Sequence, residues 1–140
     1  AAKAPADGLT LTVCPLSNHK LCVVSDLAHH PIKRMLDMGL KATINSDDPA
    51  YFGGYVNANF SVVTKAVGLT RDEIVTLAKN SFTGSFLTPA EIAAHLAEID
   101  AFFPEVRRID VETLGFEHQL DRLRNGAIIF YQQNAHASPL

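Results

Sequence analysis

Residues 9–49 read LTLTVCPLSNHKLCVVSDLAHHPIKRMLDMGLKATINSDDP, and the order of elements within them sets the fold class. The first run, LTLTVC (9–14), is rich in Thr, Val and Leu and lies between the turn-prone Asp7-Gly8 and Pro15, which makes it a strand. Residues 26–39 read as a helix: Asp26 or a nearby residue caps its start, Pro31 sits in the first turn, Ile32, Met35 and Leu36 recur at helical spacing, and Gly39 stops it. Residues 40–45, LKATIN, form a second short strand that ends in the polar cluster Ser46-Asp47-Asp48-Pro49. Strand, helix, strand in so short a span is a βαβ unit, whose strands run parallel and are covered by helices. The expected class is α/β.

Outward from this unit, Gly53 and Gly54 precede a largely helical run from about 56 to 67 that Gly68 closes. Thr70-Arg71-Asp72-Glu73 and Thr88-Pro89-Ala90-Glu91 both fit the capping box, in which a Thr hydroxyl and a Glu carboxylate satisfy backbone N–H groups reciprocally. They open helices expected over about 71–80 and 89–102. In the second, Ile92, Leu96, Ile99 and Phe103 form one apolar stripe with His95 close to it, a docking face that Pro104 ends. Beyond it, 105–125 is charge-dense, 127–131 (AIIFY) is a lone apolar run, and 132–140 reads as a loose tail. Two strands cannot form an independent parallel sheet, because bare edges and an uncovered face would remain. Either further strands hide elsewhere in these residues or the chain is the C-terminal piece of a larger parallel sheet.

Composition narrows the function classes. With 140 residues, 47% hydrophobic and 19% charged, the chain suits one globular domain. A formal charge of −3 offers no footprint for a polyanion, so nucleic acid is not an expected partner. No stretch approaches the apolar length of a membrane span and residues 1–8 lack a signal pattern, so no membrane partner is expected and the expected location is the cytoplasm. Cys14 and Cys22 are the only cysteines; they are expected to be reduced, and their spacing fits neither a redox pair nor a zinc finger.

In parallel α/β folds the ligand crevice lies at the C-terminal ends of the strands. Asp47 and Asp48 stand at such an end. Consecutive residues leaving a strand point different ways, so one carboxylate can reach a metal while its neighbour faces a ligand beside it. The same residues also read as a plain strand-terminating turn, with Asp capping an N–H and Pro49 fixing the next φ. Cys14-Pro15-Leu16-Ser17-Asn18 occupies the matching end of the preceding strand. Cys14 reads as a core filler rather than a nucleophile, His29-His30 as a solvated or capping pair, and Gly53-Gly54 as a flexible loop. No phosphate-binding glycine motif is present.

VCPLSN (13–18) and INSDDPAYFGGY (44–55), joined by LCVVSDLAHHPIKRMLDMGLKATIN (21–45), resemble the last two strand ends of the adenosine/AMP deaminase family, most closely its adenine deaminase branch. The resemblance continues through TRDEIVTLAKNSFTGSFLTPAEIAAHLAEIDAF (70–102) and covers roughly residues 9–103. It implies the last two βα units of a (β/α)8 TIM barrel plus C-terminal helices, with residues 1–103 the C-terminal part of the barrel and 104–140 an extension of unknown role. Such a barrel takes about 250 residues, so the resemblance also implies a missing N-terminal barrel portion.

The resemblance further implies zinc, with other divalent metals acceptable, held by a His-x-His pair, a further His and one Asp that corresponds to Asp47. Asp48 matches the carboxylate that hydrogen-bonds the purine. The family's general-acid Glu and catalytic His belong to segments expected upstream, and His19, His29, His30, His95, His118 and His136 match none of its motifs. The implied reaction is hydrolytic deamination of adenine to hypoxanthine and ammonia in purine salvage. Ala50-Tyr51-Phe52, bulky just after Asp47, favour a free base over a nucleoside, the other reading being that Tyr51 and Phe52 pack under the barrel rim as ordinary core. The alternatives are an adenosine deaminase, an N6-substituted adenine deaminase, and a non-catalytic fragment or binding piece.

Overall fold

Strand β1 (Thr10–Val13) and strand β2 (Lys41–Ile44) pair in parallel, with Thr10 opposite Lys41 and Val13 opposite Ile44, in a computed structural model that describes residues 8–106 and the side chains of 8–101. Both strands fall inside the runs expected from the sequence. In β2, Ala42, Thr43 and Ile44 are all buried, the pattern of a parallel strand covered on both faces. In β1 only Val13 is buried and Thr12 is exposed.

Helix α1 (Pro15–Lys20) follows β1 directly, a helix the periodicity of this stretch does not announce. Pro15 begins it because proline's fixed φ suits the first helical position and its missing N–H costs nothing there. The helix expected over 26–39 divides in two. Asp26 does cap, accepting from the Ala28 N–H at 2.9 Å, but it opens only a 3-10 turn over Leu27–His29. His30 then takes ψ 131°, and helix α2 (Ile32–Asp37) starts anew. The ring of Pro31 disfavours helical backbone at the residue before it, which accounts for the break. Gly39, at φ +71°, stops α2 as expected.

Beyond β2 come α3 (Pro49–Phe52), α4 (Val56–Val67), α5 (Arg71–Thr83) and α6 (Pro89–Val106). Gly68 closes α4 at φ +65°. Both capping boxes form: the Thr70 N–H donates to Glu73 at 2.6 Å and the Thr88 N–H to Glu91 at 2.8 Å. Helix α6 runs through Pro104 to Val106 instead of ending before it. A proline in the last turn leaves one carbonyl without its N–H and lets the preceding turns stand.

Helix α5 covers β2, with Leu77 wholly buried and the Asn80 amide donating to the Ala42 carbonyl at 2.9 Å. Helix α4 packs on the turn at 27–29 and on α1, burying Phe60, Val63 and Asn59. On the expected α6 stripe Ile99 is buried, Ile92 and Leu96 are half-buried, and the His95 ring stacks on Phe82 with centroids 4.7 Å apart. The chain divides into two compact units, 1–99 and 100–140; of the second, the described part is the end of α6. The expectations for 107–140, for residues 1–7 and for the Phe103 side chain lie outside what is described. Among the described residues no helix is long and apolar enough to cross a membrane.

Candidate active site

The C-terminal ends of β1 and β2 deliver α1 and residues 45–48 side by side. Their alignment is held by the Asn45 N–H, which donates to the Val13 carbonyl at 2.8 Å, and by Thr43, whose hydroxyl donates to the Leu11 carbonyl at 3.2 Å and accepts from Asn45 at 2.8 Å. The chain then turns sharply. Asp47 has φ +56°, a left-handed conformation that Asp tolerates better than most residues but that costs a non-glycine residue energy, and such conformations cluster at functional sites.

The two adjacent carboxylates engage different neighbours. The Ser17 hydroxyl of α1, itself buried, donates to Asp47 Oδ2 at 2.7 Å. Asp48 Oδ1 accepts the Tyr51 N–H at 3.0 Å and so caps α3, whose first residue is Pro49. The turn reading of Asp48-Pro49 is therefore correct as local structure. It leaves Asp47 Oδ1 and Asp48 Oδ2 without a hydrogen-bond partner among the described residues, and both side chains are exposed. One oxygen of each carboxylate is fixed and the other is available.

Cys14, which precedes α1, is half-buried, and burial pushes its thiol pKa up. The Asp47 carboxylate pushes it further, and a hydrogen bond with the Asp47 backbone opposes them. A thiol held protonated is a poor nucleophile, in keeping with the core-filler reading. The His29-His30 pair separates. His29 is exposed and lies 3.6 Å from Asp26. His30 is buried, its Nδ1 accepting the Ile32 N–H and its Nε2 facing Asn18 Oδ1, each at 3.3 Å. Burial lowers its pKa, and with Nδ1 capping α2 and Nε2 against Asn18 both ring nitrogens are already engaged within the fold.

The two glycines serve different ends: Gly53, at φ +84°, closes α3 in the left-handed region with open space around it, and Gly54 is a packing position. A Cβ on Gly54 would lie 2.6 Å from the Ala58 Cβ and 2.7 Å from Leu16 Cδ1, so the chain passes against α4 and α1 where no side chain fits. Asn59 of α4 is wholly buried beneath this passage. It accepts the Leu16 N–H at 2.9 Å and donates to the Gly54 and Tyr55 carbonyls at 3.3 and 3.1 Å. Sequence reasoning singled out neither Ser17 nor Asn59; only the position of Ser17 inside CPLSN hinted at it. Tyr51 is 62% exposed, so it is not core, while Phe52 is half-buried and meets the Tyr51 ring edge-on at 4.8 Å.

Among the described residues no three His, Cys, Asp or Glu side chains gather closely enough to hold a metal ion. Zinc takes three or four protein ligands, so Asp47 fits a zinc site only as one member of a larger set. A groove of about 450 Å³ lined by Asp37, Lys41, Asp72 and Asn80 lies at the opposite end of β2, away from Asp47. In parallel α/β folds ligands bind at the other, C-terminal, ends of the strands.

Comparison with known proteins identifies the family of the segment that carries these residues. Residues 3–102 match the family model described as adenosine deaminase. Over 101 residues the chain is 67% identical to an adenine deaminase of Sphingopyxis alaskensis and 66% identical to one of Caulobacter vibrioides, covering 72% of this chain and 30% and 29% of theirs. The crystal structure of adenine deaminase from Arthrobacter aurescens superposes with a TM-score of 0.68 at 46% identity, over 71% of this chain and 30% of that one. The chain thus spans about three-tenths of the length of these relatives. With the family model matched along both strands and through the aspartate-bearing exit of β2, the chain belongs to the adenosine deaminase family.

Proposed function

We propose that the chain is the C-terminal part of an enzyme that hydrolyses adenine to hypoxanthine and ammonia, a purine-salvage reaction. The observation that carries the reading is the pair of divergent, half-engaged carboxylates where β2 ends, in a chain 67% identical to an adenine deaminase over the segment that contains them. Strands β1 and β2 are the last two of a (β/α)8 barrel, residues 1–103 complete that barrel and 104–140 extend it. The exposed side of β1 is in keeping with further strands beside it.

Asp47 serves as one ligand of a divalent metal, zinc by the family's habit, with the remaining ligands supplied by the rest of the barrel. When bound, such a metal activates water for attack at neutral pH. Ser17 fixes the Asp47 carboxylate by occupying Oδ2 and leaving Oδ1 to bind. Asp48, held at Oδ1 by the Tyr51 N–H, presents Oδ2 to a ring N–H of the base and so orients it. The general acid and the catalytic His lie outside this segment. A cytoplasmic location belongs to the same reading and is in keeping with two free cysteines.

Tyr51 and Phe52 stand beside the Asp48 cap, where they restrict the room for a ribose. The test is a comparison of kcat/KM for adenine, adenosine and an N6-alkyladenine with the intact enzyme. Adenine is expected to lead. A preference for adenosine or for the N6-substituted base would reassign the substrate, and no turnover of any of the three would leave the segment a binding or structural piece.

A further inference from the structure

We propose that Lys20 is a positioning residue for Asp48 and acts through Tyr51. The inference rests on the reading of Asp48 as the carboxylate that binds the base.

Lys20 is the last residue of α1, and its ammonium donates to the Tyr51 carbonyl at 2.7 Å while lying 5.3 Å from the centre of the Tyr51 ring. Tyr51 in turn donates its N–H to Asp48 Oδ1 at 3.0 Å. One residue is thus grasped at both ends of its peptide environment, by a cation at its carbonyl and by the candidate base-binding carboxylate at its N–H. Helix α3 between them has four residues, far too few to persist on its own propensity, and it runs straight into the left-handed Gly53. Its orientation must come from tertiary ties. A carboxylate at the N-terminus and an ammonium at the C-terminal carbonyls are the charges that such a helix favours at each end.

The tie is exposed, and an exposed charge contact contributes little to overall stability. Its consequence is local. With Lys20 in place, α3 is pinned against the end of α1 and Asp48 Oδ1 stays bound to Tyr51, which directs Oδ2 towards the ligand side. Without it, α3 is free to rock about Gly53, and the carboxylate has to be ordered afresh each time a base binds, which weakens binding. Among the described residues no other side chain links α1 to the Asp48 cap by such a bond.

The experiment measures KM and kcat for adenine, with thermal midpoints, in the intact enzyme and its Lys20→Met, Lys20→Arg, Asp48→Asn and Lys20→Met/Asp48→Asn variants. Lys20→Met is expected to raise KM about fivefold, the scale of a weakened charged hydrogen bond, with the thermal midpoint nearly unchanged. Lys20→Arg is expected to recover most of the loss, since its guanidinium reaches the same carbonyl and ring. In the Asp48→Asn background Lys20→Met is expected to add nothing, because the group it positions has been altered. Fully additive effects, or an unchanged KM in Lys20→Met while Asp48→Asn raises it, would overturn the role of Lys20 and leave the Asp48 reading standing. If Asp48→Asn leaves KM for adenine unaltered, the Asp48 reading falls and the Lys20 proposal falls with it.

Discussion

The Ser17 hydroxyl donates to Asp47 Oδ2 across 2.7 Å, joining the helix that follows β1 to the residue that leaves β2. This single bond ties together the two strand ends on which the site is built. Ser17 is buried and Asp47 is exposed, so the rigid partner holds the accessible one. Ser17→Ala is expected to lower metal affinity of the intact enzyme by about 10- to 100-fold, the usual cost of losing a group that orients a ligand. Folding stability should fall by only about 1 kcal/mol, because water can replace the hydroxyl at an exposed carboxylate. Metal titration followed by elemental analysis checks the first outcome and urea denaturation the second.

The paired carboxylates are expected to separate on substitution. Asp47→Asn removes a formal charge from the proposed ligand set and should strip metal during dialysis. Asp48→Asn should retain metal near the wild-type level while adenine turnover drops. Metal content measured beside steady-state kinetics distinguishes them, and equal metal loss in both variants would show that the roles have been divided wrongly.

The isolated 140-residue chain, supplied with zinc and adenine, is expected to form no hypoxanthine. Its described residues bring one candidate ligand where a catalytic zinc needs about three from the protein. An absorbance assay for hypoxanthine is sufficient, and sustained turnover by the purified chain would remove the basis for placing the other ligands elsewhere.

Asn59 is expected to be the most sensitive polar position. It is wholly buried and serves the Leu16 N–H and the Gly54 and Tyr55 carbonyls at once. Asn59→Leu leaves a buried donor and two carbonyls to find new partners and should destabilise by about 2–3 kcal/mol. Denaturant unfolding of the intact protein checks this. A loss within a few tenths of a kcal/mol would mean that the passage at Gly53-Gly54 is held by packing alone.

His30 gives the fold a pH dependence whose sign follows from its lowered pKa. Its Nδ1 accepts the Ile32 N–H, so protonation would set two donors against each other. Because the unfolded chain takes up the proton more readily, stability is full above the ordinary His value of 6.5 and falls as pH drops through it towards the lower folded value. Urea midpoints between about pH 8 and 5 should decline in the wild type with a slope of at most about 1.4 kcal/mol per pH unit from this group. His30→Gln should be less stable at pH 8 yet decline less steeply; an equal slope would assign the dependence to other groups.

The sequence by itself determined the elements whose signals are local. Strand-prone composition and flanking turns marked both strands, Gly68 marked the end of α4, and two Thr-x-x-Glu pairs marked the starts of α5 and α6. The motifs at the two strand ends were enough to identify the family, because their joint spacing carries information that neither has alone. Helix α1 was invisible to periodicity, since six residues beginning at a proline make too short a repeat to read. The break at His30 follows from a local rule about the residue before proline, which the apolar spacing through Ile32, Met35 and Leu36 outweighed in the reading. Only the tertiary structure decided which groups meet. Ser17 and Asp47 are 30 residues apart, Asn59 and Leu16 are 43, and Lys20 and Tyr51 are 31. No local pattern encodes such pairs, because they exist only once parallel pairing of β1 and β2 has brought the two strand exits to the same end of the sheet.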